Sequence, residues 1–201
     1  GDLKAEGSMT SMLSRESMFL FNNLLFIGVL VICFWGVMFP LISELFTGQK
    51  VTVGPPFYER STGPLLAGIM FLMALGPLSA WGRATVKTLG RAIWLPLALS
   101  IAVLVAVLAA GVRAWPALLA FWLIALTVFS TVLDYIRGVR TRMKRTGEKL
   151  PTAFIRLSGG NRRRYGGYII HLGVALMFIG IIGIEVFQET TQGMLARGES
   201  L

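Results

Sequence analysis

Charge is scarce in this sequence, and cysteine and histidine are nearly absent. Only 14% of the 201 residues are Asp, Glu, Lys or Arg, against about a quarter in soluble domains, which places the chain outside the ordinary globular class. The single cysteine, Cys33, excludes an internal disulfide and a zinc cluster, and inside an apolar run it reads as a small packed or lipid-facing residue. The single histidine, His171, excludes HExxH chemistry and any bis-histidine site built from this chain alone. The sequence has no GxxxxGK[ST] loop, no dinucleotide fingerprint, no serine nucleophile context, no pair of membrane-embedded carboxylates and no internal repeat. Hydrolysis and nucleotide binding therefore have nothing to work with. Acidic residues are few as well, 10 against 19 basic, for a net charge of +9. No aromatic-and-basic alternation accompanies that charge, so nucleic acid is not an expected partner.

What the chain does have is long apolar runs. Hydrophobic residues make up 55% of it and the mean hydropathy is +0.70. Five stretches are long enough to cross about 30 Å of hydrocarbon as helices: 19–45, 64–81, 92–112, 115–136 and 168–187. The expected fold is an all-α integral membrane protein, a polytopic helical bundle with about five transmembrane helices, and Pro77 predicts a kink near the end of the second. Basic residues fix the expected orientation. Fifteen of the 19 fall in the lead-in 1–18, the loop 82–91 and the loop 137–165; only Lys50, Arg60, Arg113 and Arg197 fall in the loop 46–63, the 113–114 turn and the tail 188–201. The positive-inside rule then puts the N-terminus and the 137–165 loop in the cytoplasm and the C-terminal tail outside, with the excess arginines meeting anionic headgroups. The sequence lacks a signal-peptide layout and starts without methionine. It is expected to be an internal piece of a longer protein, a processed product or the product of a split gene.

Between the spans, TGQKVTVGPPFYERSTGP reads as a rigid connector along the membrane, or as the wall of an outer-side binding surface. Gly54-Pro55-Pro56 should stop a short strand and hold the path extended. The 137–160 segment is basic and has room for a short interfacial helix. Asp134, beside Arg137 and close to Arg140, predicts an interfacial ion pair, and Asn22 and Asn23 predict an interhelical amide contact.

His171 is the sharper feature. It lies seven residues past Arg164 in NRRRYGGYIIHLG, about 10 Å along a helix axis, in the cytoplasmic half of the bilayer. An imidazole there needs a partner. Asn22, Asn23, Ser79, Ser130, Thr131, Tyr135 and backbone carbonyls are available within the chain. Gly167, Tyr168, Val174, Ala175 and Phe178 share its face, and Gly166, Gly173 and Gly180 recur every seven residues, a stripe that admits another helix or a flat macrocycle. Two readings stay open on physics alone: a helix-to-helix hydrogen bond, and an axial haem ligand whose other ring nitrogen is held by the protein.

Taken together, SRESMFLFNNLLF at 14–26, VGPPFYE at 53–59 and NRRRYGGYIIHLGVALMFIGI at 161–181 resemble the CcmF family, the large membrane subunits of the cytochrome c maturation haem lyase. The resemblance runs through nearly the whole chain in order. It implies haem received from the chaperone CcmE and attached to the CXXCH cysteines of apocytochrome c outside the bacterial cytoplasmic membrane, with a CcmH-like thiol partner. It also implies a resident haem b held between two transmembrane histidines. The second of those histidines lies in the block matched by Arg164 to Gly173, which makes His171 the axial ligand. Gly167, Gly173 and Tyr168 would then lie beside the ring, with Tyr165 and Arg162–Arg164 near the propionates. The chain departs from the family in having no WWD segment, no outer-side histidine and no second ligand for His171. Those parts are expected from another CcmF-like segment or subunit, so haem attachment is not expected of this chain alone. A scaffold that docks maturation partners and a transporter component are the competing expectations.

Overall fold

The computed structural model describes residues 15–79 and 86–187. The lead-in before residue 15, residues 82–85 of the 82–91 loop and the 188–201 tail lie outside these described residues, and the rest of that loop is the start of α3. The described residues form six α-helices and no strand: α1 (Arg15–Thr47), α2 (Pro55–Leu75), α3 (Val86–Ala109), α4 (Trp115–Thr146), α5 (Leu150–Gly160) and α6 (Arg162–Phe187). Five of them, all but α5, are long and apolar enough to cross a membrane. The protein is a multi-pass helical membrane protein. Leu45 and Phe46 on α1 are each 80% exposed, and Leu30, Phe34 and Val37 are open along the same helix. Water would not tolerate that much apolar surface on one element, whereas lipid is its natural solvent.

Several helices extend beyond their apolar windows. The prolines expected to hold an extended loop start a helix instead: Pro55 and Pro56 occupy the first positions of α2, nine residues before the expected span. A proline there gives up only an N–H that has no helical partner, and its ring presets the helical φ. The 46–63 segment is thus a short connection followed by helix. At its other end α2 gives way to a 3₁₀ turn, Gly76–Leu78, with Pro77 in it. The helix α4 continues ten residues past 136 into the basic segment and closes on Gly147, whose φ of 69° lets its N–H reach the Met143 carbonyl at 2.9 Å. The rest of that segment is mostly α5, and α6 begins at Arg162, six residues before the expected span.

The bundle is organised around α4, which packs against α2, α3, α5 and α6. Its centre joins Met70 of α2, Leu123 and Ile124 of α4 and Ala175 of α6, with Trp122, Val174 and Phe178 against them. Small residues bring the helices close: Ala74, Ser100, Ser130 and Ala175 are buried at the contacts. The Thr127 hydroxyl donates to the Leu123 carbonyl at 2.9 Å and lies 3.2 Å from the Met70 carbonyl, a polar tie between α4 and α2. The α1 helix packs against α2. A Cβ at Gly36 would stand 2.7 Å from the Tyr58 ring, so that glycine is what lets the ring lie on α1.

Candidate functional site

Antiparallel packing of α4 and α6 builds a polar latch at the arginine-rich end of the bundle. Arg164 donates from Nη2 to Asp134 Oδ2 at 2.7 Å and from Nε to the Tyr168 hydroxyl at 2.9 Å. Tyr168, only 3% exposed, donates its own proton to the same Asp134 oxygen. Asp134 therefore pairs across the helix interface and not with its helical neighbours. Arg137, the expected partner, instead reaches the Ala92 carbonyl of α3 at 3.4 Å. Tyr165 is buried over Gly138, where an added Cβ would meet its hydroxyl at 2.6 Å. Edge-on aromatic contacts extend the latch: Tyr135 to Tyr165 with centroids 4.9 Å apart, and Tyr165 to Tyr168 at 5.5 Å. The Tyr135 hydroxyl bonds Ser158, and its ring lies 5.0 Å from that of Phe154, which ties α5 in.

His171 stands one turn beyond Tyr168, ring centroids 6.5 Å apart, and is half-buried. Since α4 and α6 run in opposite directions, the Asp134–Tyr168 contact sets the register. One turn deeper on both helices brings Thr131 and His171 to the same level. The Thr131 hydroxyl is buried and has no hydrogen-bond partner among the described residues, and the same holds for neighbouring Ser130. Asn22 and Asn23 sit on α1, the helix that packs against α2.

The expected site residues separate into three groups. Gly167 shares the His171 side of α6, and nothing lies within 4 Å of a Cβ placed there. Arg164, Tyr165 and Tyr168 form the latch. The Arg164 charge is already met by Asp134, so the carboxylate it holds here is the protein's own and not a propionate. Gly173 is turned away: two residues from His171 on a helix is about 200° of rotation. Gly166, Gly173 and Gly180 lie on the face where Ile169, Leu176 and Ile181 are exposed, with nothing within 4 Å of a Cβ at any of the three glycines. That stripe cannot line a ring bound at His171, and its close approach is open to a different neighbour.

A haem can be tested against this geometry. An axial ligand must present one ring nitrogen to iron beside a surface with few side chains, with polar groups near to orient the imidazole. The half-buried imidazole, bare Gly167 a turn before it and the unmatched Thr131 hydroxyl at its level fit that requirement for one face of a haem. Among the described residues no group of three metal-ligating side chains exists.

Beyond the latch, the turn between α4 and α5 is closed by Glu148. Its carboxylate accepts from Arg142 Nε at 2.8 Å and from Arg156 Nη1 at 2.8 Å. The Arg142 bond foremost, aided by Arg156, holds Glu148 down at about 2, below its ordinary 4.5. A depressed carboxylate stabilises the fold above its unfolded pKa and loses that effect as pH falls through the folded one. The clamp is therefore constant above about pH 4.5 and drains toward about pH 2. Hydrogen exchange of α5 amides, corrected for intrinsic rates, should show protection steady above about pH 4.5 and lost from there toward about pH 2 in the native chain. Glu148→Gln should show little further loss over that interval.

Comparison with known proteins agrees with the resemblance noted from the sequence. The chain is 35% identical over 182 residues to a cytochrome c-type biogenesis protein of Rhodobacter capsulatus, covering 90% of this chain and 26% of that protein. It is 29% identical over 189 residues to CycK of Rhizobium meliloti, 94% of this chain and 27% of the relative. It is 31% identical over 189 residues to CcmF of Pseudomonas fluorescens, again 94% and 27%. The chain thus spans about a quarter of the length of the curated relatives it matches. No protein-family model and no solved structure matches it.

Proposed function

The chain belongs with the CcmF-type cytochrome c-type biogenesis proteins as the counterpart of about a quarter of their length, and on that premise we propose that it forms the haem b-binding membrane portion of a cytochrome c haem lyase. His171 is the residue of this chain that would hold the haem iron. The second ligand, the WWD segment and the outer-side histidines come from polypeptide beyond these 201 residues. CcmE, a CcmH-like thiol partner and apocytochrome c are the partners of the assembled lyase. The chain lies in the bacterial cytoplasmic membrane, its arginine-rich end facing the cytoplasm by the positive-inside rule.

When bound, a b-type haem supplies one-electron chemistry, which keeps the iron of the haem being attached in its reduced state. The chain's own residues do the positioning. Tyr168, held by Asp134 and Arg164, fixes the rotation of α6 against α4 and so the direction in which His171 points one turn later. The buried Thr131 hydroxyl, in register with His171 by the antiparallel pairing of the two helices, is a candidate to orient the imidazole. Trp122, Val174 and Phe178 pack against the apolar centre of the bundle beyond it.

The observation that carries this reading is the placement of His171 at the edge of the α4–α6 contact, beside bare helix at Gly167. A scaffold role is favoured by the open Gly166–Gly173–Gly180 face, which suits a docked helix. Co-expression with the polypeptide carrying the remaining family segments discriminates between the two. A purified complex with a Soret band that shifts and sharpens on dithionite reduction supports the haem reading. A complex that assembles without such a band leaves the scaffold.

A further inference from the structure

The arginine-rich end of the bundle carries a groove of about 500 Å³ between α4, α5 and α6. Arg137, Arg142, Arg145 and Arg164 line it, with Gly138 and Thr141 on its α4 wall, and Asp134 is the only carboxylate among its lining residues. Arg164 is matched by Asp134 and Arg142 by Glu148. Arg137 has only a 3.4 Å approach to a carbonyl, and Arg145 has no ion pair among the described residues. Two exposed guanidinium groups thus line one concave surface with no carboxylate paired to them among the described residues, an arrangement open to an anion.

Depth decides which anion. The α4 helix has 32 residues, about 48 Å at 1.5 Å per residue, against a hydrocarbon core of about 30 Å. Its apolar part ends near Ile136, so Arg137 to Thr146 stand at the headgroup layer. Beside the groove, α5 is anchored by fully buried Ala153 and by Phe154 against Tyr135, and leaves Leu150 and Ile155 exposed. A short helix with one apolar face turned away from the protein, flanked by Lys149 and Arg156, is suited to lie in the membrane interface. A phosphate in the groove would have its acyl chains alongside that apolar face.

We infer that the groove between α4, α5 and α6 is a binding site for the phosphodiester headgroup of an anionic membrane lipid, held by Arg137 and Arg145. Guanidinium groups match phosphate oxygens in paired hydrogen bonds. The site is separate from His171, which does not line it, and does not depend on haem.

The test is native mass spectrometry of the full chain in detergent, delipidated and titrated with phosphatidylglycerol or phosphatidylcholine. One discrete phosphatidylglycerol adduct is expected, preferred over phosphatidylcholine. Arg137→Gln with Arg145→Gln should weaken that adduct about tenfold or more, since each basic side chain near an anionic surface contributes about 1 kcal/mol. Arg162→Gln with Arg163→Gln removes the same charge outside the groove and should leave the adduct in place. Equal weakening by both pairs would show diffuse attraction and overturn the site. Displacement of the lipid by millimolar inorganic phosphate would assign the groove to a soluble anion and overturn the lipid. Circular dichroism of each pair verifies the fold. If the groove pair unfolds, Arg145→Gln alone decides, and an undiminished adduct in it counts against the site.

Discussion

Replacing His171 by alanine is expected to strip the b-type haem from the assembled complex while the bundle still folds. Loss of a group that merely supports a metal ligand costs about 10- to 100-fold in affinity, and loss of the ligand itself should exceed that. The imidazole is half-buried at the rim of the α4–α6 contact, outside the central cluster of Met70, Leu123, Ile124 and Ala175. Truncating it leaves that core intact, so helicity and thermal unfolding should stay close to those of the native chain. The readout is the ratio of Soret to protein absorbance after purification, together with the reduced-minus-oxidised spectrum. A variant that keeps the haem and its spectrum would remove His171 from the coordination sphere. Unchanged helicity distinguishes loss of a ligand from loss of the fold.

Asp134→Ala should produce the largest loss of stability. The carboxylate side chain is 15% exposed and that of its partner Arg164 39% exposed, so the pair lies between a surface bridge, worth up to about 1 kcal/mol, and a buried one, whose breakage costs about 3–5 kcal/mol. Partial exposure of Arg164 lets water and salt screen part of the loss. The buried Tyr168 hydroxyl is left without its acceptor, an added cost. We expect about 1–3 kcal/mol in all, read as a lowered midpoint of thermal unfolding in detergent. Asp134→Asn keeps an acceptor oxygen and should lose less. Combining Asp134→Ala with Arg164→Gln should cost less than the sum of the two, because both remove one interaction. The same change should broaden the haem spectrum of the complex, since α6 is then free to rotate. Additive losses with an unaltered spectrum would mean that the latch does not position His171.

The spans were legible because apolar runs reveal themselves without any knowledge of packing. Their ends were less so. Pro55 and Pro56 read as a stop, although at the first turn of a helix proline costs nothing. Arg137 to Thr146 read as loop because charge ends an apolar window, yet Arg, Met and Lys are good helix formers and carry α4 on into the headgroup layer. The Asp134 partner could not be found from spacing. Helical neighbours three and four residues away can be counted on the sequence, whereas Arg164 lies 30 residues away and is brought near only by the α4–α6 register. The hand of the Gly166–Gly173–Gly180 stripe was countable: a two-residue offset already puts Gly173 on the far side of α6 from His171. Its seven-residue repeat lies on the opposite face, where the described residues leave all three glycines open.

The central claim is that an imidazole nitrogen of His171 meets haem iron in the membrane, and a density map of the assembled complex tests it most directly. The account predicts a flat macrocycle against the Gly167 side of α6, its iron bonded to His171, with the opposite ligand from another part of the assembly. Density showing the His171 ring bonded only to protein, with no macrocycle beside it, would contradict the account.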